Sequence, residues 1–127
     1  MKKIYIALFV VTHLICANAK DSESNWEKCL NASISTADRM RCTNEEYKIL
    51  DKQLNDIYSK YLKTLSEKEK KDFVDIQRLW VKFKEKNCSY YYGLQGTLYR
   101  ELGAICFVKT TEERLEEIKN FCSGECK

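Results

Sequence analysis

The sequence predicts an all-α fold: a small disulfide-stapled helical bundle built on a long antiparallel helical hairpin, with a shorter C-terminal helix. Three observations predict it. The chain has no proline and only four glycines, Gly93, Gly96, Gly103 and Gly124, all in the C-terminal third, so helix breaks are concentrated there. Apolar residues recur at three- and four-residue steps over two consecutive segments. And seven cysteines stand in only 127 residues, which suits a domain whose core alone is limited.

The N-terminus decides how those cysteines count. Lys2 and Lys3 precede an apolar run from Ile4 to Ile15, broken only by Thr12 and His13, and Ala17-Asn18-Ala19 follows. A charged start, a short apolar stretch and a small-x-small exit predict a secretory signal peptide over residues 1–19. The run is shorter than the roughly 20 residues of a membrane-spanning helix. The bulky Ile15 before Cys16 argues against a lipid-anchored cysteine. Cleavage after Ala19 leaves one domain over residues 20–127, with no integral membrane segment, exported to the periplasm of a Gram-negative-like bacterium or secreted.

Cleavage also removes Cys16 and leaves an even set: Cys29, Cys42, Cys88, Cys106, Cys122 and Cys126. Six cysteines in an exported domain predict disulfides; structural zinc competes, but there is no C-x-x-C pair and the spacing is irregular. The only histidine, His13, is lost with the signal, so no Ser-His or Cys-His dyad remains. No catalytic residue, cofactor or metal site is expected, and the chain reads as a binding protein rather than an enzyme. Two of 22 basic residues leave with the signal, against 19 acidic ones, so the net charge falls from +3 to +1. That balance predicts no nucleic-acid partner.

The elements follow in order. Residues 20–35 are polar and weakly patterned, with Trp26 and Cys29 as docking points. From about Thr36 to Leu65, Tyr47, Leu50, Leu54, Ile57, Tyr58, Tyr61, Leu62 and Leu65 form one apolar stripe. Ser66-Glu67-Lys68-Glu69 is a capping box that stops this helix and starts the next. The second helix runs to about Cys88 and carries Phe73, Ile76, Trp80 and Phe83 on its inner side. So short a turn makes the two helices antiparallel neighbours. Residues 89–109 read as an aromatic, glycine-containing connection. A third, shorter helix starts at Thr110-Thr111, where Thr110 and Glu113 offer a second capping box, and buries Leu115, Ile118 and Phe121.

A hairpin folded at Leu65/Ser66 sets level those positions whose numbers sum to about 131, because both helices rise equally per residue. Cys42 and Cys88 then lie side by side and are expected to form a bridge if they face each other. It would close a loop of 46 residues, worth roughly 3 to 4 kcal/mol on the chain-entropy model. Cys122 with Cys126 and Cys29 with Cys106 complete one of several open connectivities. Asn55 falls level with Gln77, and a buried amide pair would set the register of the hairpin; two amides in water at the stripe's edge is the alternative. Asp51, Asn55, Gln77 and Trp80 are thus read as structural hairpin residues.

Tyr47, Asp51, Leu54-Asn55, Tyr58, Leu62 and Leu65, then Gln77-Arg78, Trp80, Phe83 and Cys88, then Cys106, Thr111 and Arg114 together resemble the LprI-type lysozyme inhibitor family. The resemblance spans about Cys29 to Ile118 and rests on polar as well as apolar positions. It implies a small exported helical domain whose partner is a protein, a lysozyme or related peptidoglycan hydrolase. The chain departs from the family at Gly93-Leu94-Gln95-Gly96-Thr97, where members commonly carry a Gly-Gly-Ser-type turn. Cys122 and Cys126 look like additions.

An inhibitor needs a rigid scaffold presenting an ordered segment. The stretch between Cys88 and Cys106 meets that need, and Tyr90, Tyr91, Tyr92, Gly96, Thr97, Tyr99 and Arg100 are its candidate target-binding residues, tyrosine and arginine being enriched at binding hot spots. The same tyrosines could simply cover the open end of the hairpin. An envelope-interaction or immunity-like adaptor domain without inhibitory activity is the second functional reading.

Overall fold

The computed structural model describes residues 24–122, 124 and 126; the expected signal segment, 1–19, lies outside them. Four helices follow one another: α1 (Asn25–Ala32), α2 (Thr36–Thr64), α3 (Glu67–Tyr92) and α4 (Thr97–Cys122). Each of the first three starts at a serine whose hydroxyl accepts an otherwise unpaired amide: Ser24 from Glu27, Ser35 from Asp38 and Ser66 from Glu69. At Ser24 and Ser66 the reciprocal bond from the glutamate completes a capping box.

α2, α3 and α4 form an up-down-up bundle. The predicted register of the α2–α3 hairpin holds: Tyr58 stacks on Phe73 with ring centroids 5.9 Å apart, and Lys84 Nζ donates to Tyr47 Oη at 3.0 Å. Both pairs sum to 131. α4 fills the groove between the two helices. Tyr47 meets Phe107 and Tyr61 meets Phe121, a constant offset of 60 that makes α4 parallel to α2. The core where they meet is Leu50, Leu54, Phe73, Val108, Leu115 and Ile118.

Four expectations are corrected. The last helix is as long as α3, because the chain resumes helix at Thr97 rather than Thr110. Thr110 therefore lies in mid-helix and caps nothing. Gly103, which looked like a breaker, sits inside α4 because Tyr92 packs against it: a Cβ there would come 3.0 Å from the ring. Between α3 and α4 the break is made by Gly93 and Gly96, and Gly96 holds a positive φ of 117° that a residue with a Cβ rarely adopts; Gly124, at φ 89°, follows the end of α4.

The second correction concerns the cysteines. All six are bridged, as Cys29–Cys42, Cys88–Cys106 and Cys122–Cys126. Cys42 and Cys88 are level but not facing. Cys42 lies five residues before Tyr47, about 140° around the helix from that hairpin contact, so it turns toward α1. Cys88 lies four residues beyond Lys84, about 40° around, and turns toward α4. Cys29 is likewise joined to Cys42 rather than to Cys106.

Third, Asn55 and Gln77 do not pair. Asn55 is exposed, and its amide donates back to the Asp51 carbonyl at 2.9 Å. Gln77 Oε1 instead accepts from Arg114 Nε of α4 at 2.9 Å. Fourth, Phe73 enters the core, and Trp80 packs against it from a partly buried position, while Ile76 and Phe83 are 51 % and 59 % exposed.

Candidate functional site

Two places concentrate unusual side chains: a polar seam inside the bundle, and the tip where α3 turns into α4.

In the seam, Trp80 lies between two buried cations. Lys84 Nζ sits 4.8 Å from the Trp80 ring and 5.1 Å from the Tyr47 ring, with the Asp51 carboxylate 3.8 Å away. Arg114 approaches Trp80 from α4 at 5.8 Å and Phe73 at 5.4 Å, bonding Gln77 and, at 2.6 Å, Glu117. A buried cation is tolerated when carboxylates, dipoles and aromatic faces replace its water. Thr111 Oγ1 and Arg114 Nη2, one turn apart, are buried without a hydrogen-bond partner among the described residues. The expected hairpin residues Asp51, Gln77 and Trp80 thus converge here, and Asn55 does not. Lys84 and Arg114 are inaccessible, at 4 % and 5 % exposure, so the seam ties three helices together and its cations offer no surface to a partner.

The tip is different. α3 ends at Gly93, whose amide donates to the Tyr90 and Tyr91 carbonyls, and α4 begins four residues later. Cys88–Cys106 joins the helices behind this turn, with Cα atoms 5.4 Å apart. An ion pair between Arg39 and the mostly buried Glu101 ties the first turns of α4 to α2. Tyr90, Tyr92 and Tyr99 are exposed by 68, 45 and 37 %. Gly96, Thr97 and Arg100 are exposed as well, and Tyr91 is half-buried with its ring edge-on to Tyr90.

Tyr92 is the best-held of these residues. Its ring rests on Gly103, stacks with Phe107 at 6.5 Å, and its hydroxyl is pushed above the usual phenol range by burial. The sequence reading missed Leu98 and Leu102, which extend the patch at 62 and 37 % exposure. Once residues 97–109 are helical, their four-residue spacing puts them on one face. Gly103 was the available signal, since a glycine inside a helix marks a close approach.

Elsewhere, burial and the nearby Glu112 charge raise the Glu46 carboxyl, partly offset by Lys109. Among the described residues no group of three or more histidine, cysteine or acidic side chains is placed to hold a metal.

The family model of the lysozyme inhibitor LprI matches residues 16–118. The chain belongs to the LprI lysozyme inhibitor family. The match takes in the whole polar seam and the tip, and ends at Ile118, just before Cys122 and Cys126. No curated protein and no solved structure matches the chain. Membership of an inhibitor family agrees with a protein that binds rather than catalyses. Among the described residues, no helix is long and apolar enough to cross a membrane.

Proposed function

We propose that this LprI-family chain is exported and inhibits a lysozyme or related peptidoglycan hydrolase, using the α3–α4 tip as its contact surface. Family membership carries the reading. The tip supports its location: outward tyrosines, an arginine and leucines stand on a turn anchored by Cys88–Cys106 and by Arg39–Glu101. Such a surface loses little conformational entropy on binding, and aromatic and arginine side chains supply most of the contact energy. Three disulfides fit an oxidising compartment outside the cytosol.

The test is a peptidoglycan lysis assay with several lysozymes and the disulfide-intact protein. Inhibition at micromolar concentration is expected, weakened at least about tenfold by combining Tyr90→Ala, Tyr99→Ala and Arg100→Ala, about 1.4 kcal/mol of binding energy. These exposed side chains leave the fold intact. Absence of inhibition with every lysozyme would overturn the function, and full potency in the triple variant would overturn the site.

A further inference from the structure

α3 has two apolar faces, and the bundle uses one. Phe73, Gln77, Trp80, Lys84 and Cys88 make contacts inside the molecule. The other face carries Ile76, Leu79, Phe83 and Tyr90, exposed by 51, 66, 59 and 68 %. Their steps are three, four and seven residues, with Lys86 at the position between Phe83 and Tyr90. That alternation is the seam of a two-helix coiled coil, where one edge of a helix stays against a second helix. A contiguous apolar edge on a small protein marks an interaction surface.

We propose that this face binds a second copy of the same chain, α3 against α3, antiparallel about a two-fold axis between Leu79 and Phe83. Charge selects both the occupant and the direction. Asp72 and Asp75 flank the N-terminal half of the edge, and Lys82 and Lys86 the C-terminal half. Antiparallel pairing sets each half against the opposite charge twice, whereas parallel pairing sets like against like.

In this register, positions summing to 162 lie level. Leu79 meets the partner's Phe83, Asp72 meets the partner's Tyr90, and Asp75 lies about 1.5 Å along the axis from the partner's Lys86. Asp75 is free to turn, since its pair with Arg78 at 3.2 Å is exposed on both sides. An anionic surface would instead be repelled by the two aspartates. At roughly 150–250 Å² for a large aromatic side chain, two copies of the edge with its flanks bury about 1,000 Å², the lower end for a specific interface. An interface of that size fits a weak, reversible dimer. It rests on the exposed edge of α3 rather than on the inhibitor reading, and the two surfaces share Tyr90, so a dimer and a lysozyme complex would compete there.

Sedimentation equilibrium of the disulfide-intact chain across the micromolar range tests it, with circular dichroism confirming the fold of each variant. A concentration-dependent dimer is expected, weakened at least about tenfold by Leu79→Arg and by Phe83→Glu. Asp75→Lys and Lys86→Asp should each weaken it, and the double variant should restore it, because each ion pair re-forms with its signs exchanged. A chain monomeric throughout, or a dimer indifferent to Leu79→Arg, overturns the proposal. A double variant no better than the singles overturns the antiparallel register.

Discussion

The two turns of the bundle handle aromatic residues in opposite ways. At the α2–α3 turn, Tyr58, Tyr61, Phe73 and Phe121 pack on one another, with centroids 4.9 to 6.1 Å apart, and a serine–glutamate box closes the chain. At the α3–α4 turn Tyr90 and Tyr99 face outward while Tyr92 packs on Gly103 and Phe107, and a disulfide with two glycines makes the geometry. The first turn is held by its own side chains. The second is held from behind, leaving its side chains available. Identical residue types are therefore structure at one end and surface at the other, depending on whether a third helix lies over them.

That contrast breaks most readily at the packed end. Phe73→Ala removes the ring shared by Tyr58, Tyr61, Phe121 and Arg114, and should cost about 3–5 kcal/mol in urea unfolding. Next come the disulfides. Replacing Cys88 and Cys106 by alanine should cost about 3 kcal/mol, and replacing Cys29 and Cys42 a similar amount, since they close loops of 18 and 13 residues. In the lysis assay the two should part, the Cys88/Cys106 variant losing potency while the Cys29/Cys42 variant keeps it. Equal losses would mean the tip owes its order to the whole bundle.

A smaller effect sharpens the role of Gly103. Alanine in a helix interior is favoured over glycine by about 1 kcal/mol, but here it meets the Tyr92 ring at 3.0 Å. Gly103→Ala should gain most of that stability in a Tyr92→Leu background and little or none beside Tyr92. A double-mutant cycle with no coupling would show that the ring is not held there.

The smallest effect lies at the cap. Ser66→Ala should cost about 1 kcal/mol and flatten the acid limb of the stability curve. The Ser66 hydroxyl and amide hold the Glu69 carboxyl below the usual range. A carboxyl depressed in the folded state contributes fully above its unfolded value of about 4.3, and the contribution fades as pH falls through the folded value. The variant should therefore lose less stability than the parent between about pH 5 and pH 3.

What carries the family resemblance and what would touch a target are separated in space. Gln77, Trp80, Thr111 and Arg114 meet in the buried seam, and Asp51 reaches it through Lys84. The turn from Gly93 to Thr97 is at the tip, away from that seam. These motif residues thus describe a scaffold rather than the tip.

By itself the sequence determined the all-α class, the α2 stripe, the Ser66 break and the hairpin register, because capping, periodicity and rise per residue act within a few neighbours along the chain. It also determined which cysteines were present to pair. Tertiary structure decided which ones met. Two positions can share a height on neighbouring helices and still face apart, and the direction each faces is set by where the other helices lie. α4 occupies the groove, claims Gln77 and Cys88, shelters Gly103 behind Tyr92, and leaves Ile76 and Phe83 outside. None of those assignments is local, so no local pattern in the chain could carry them.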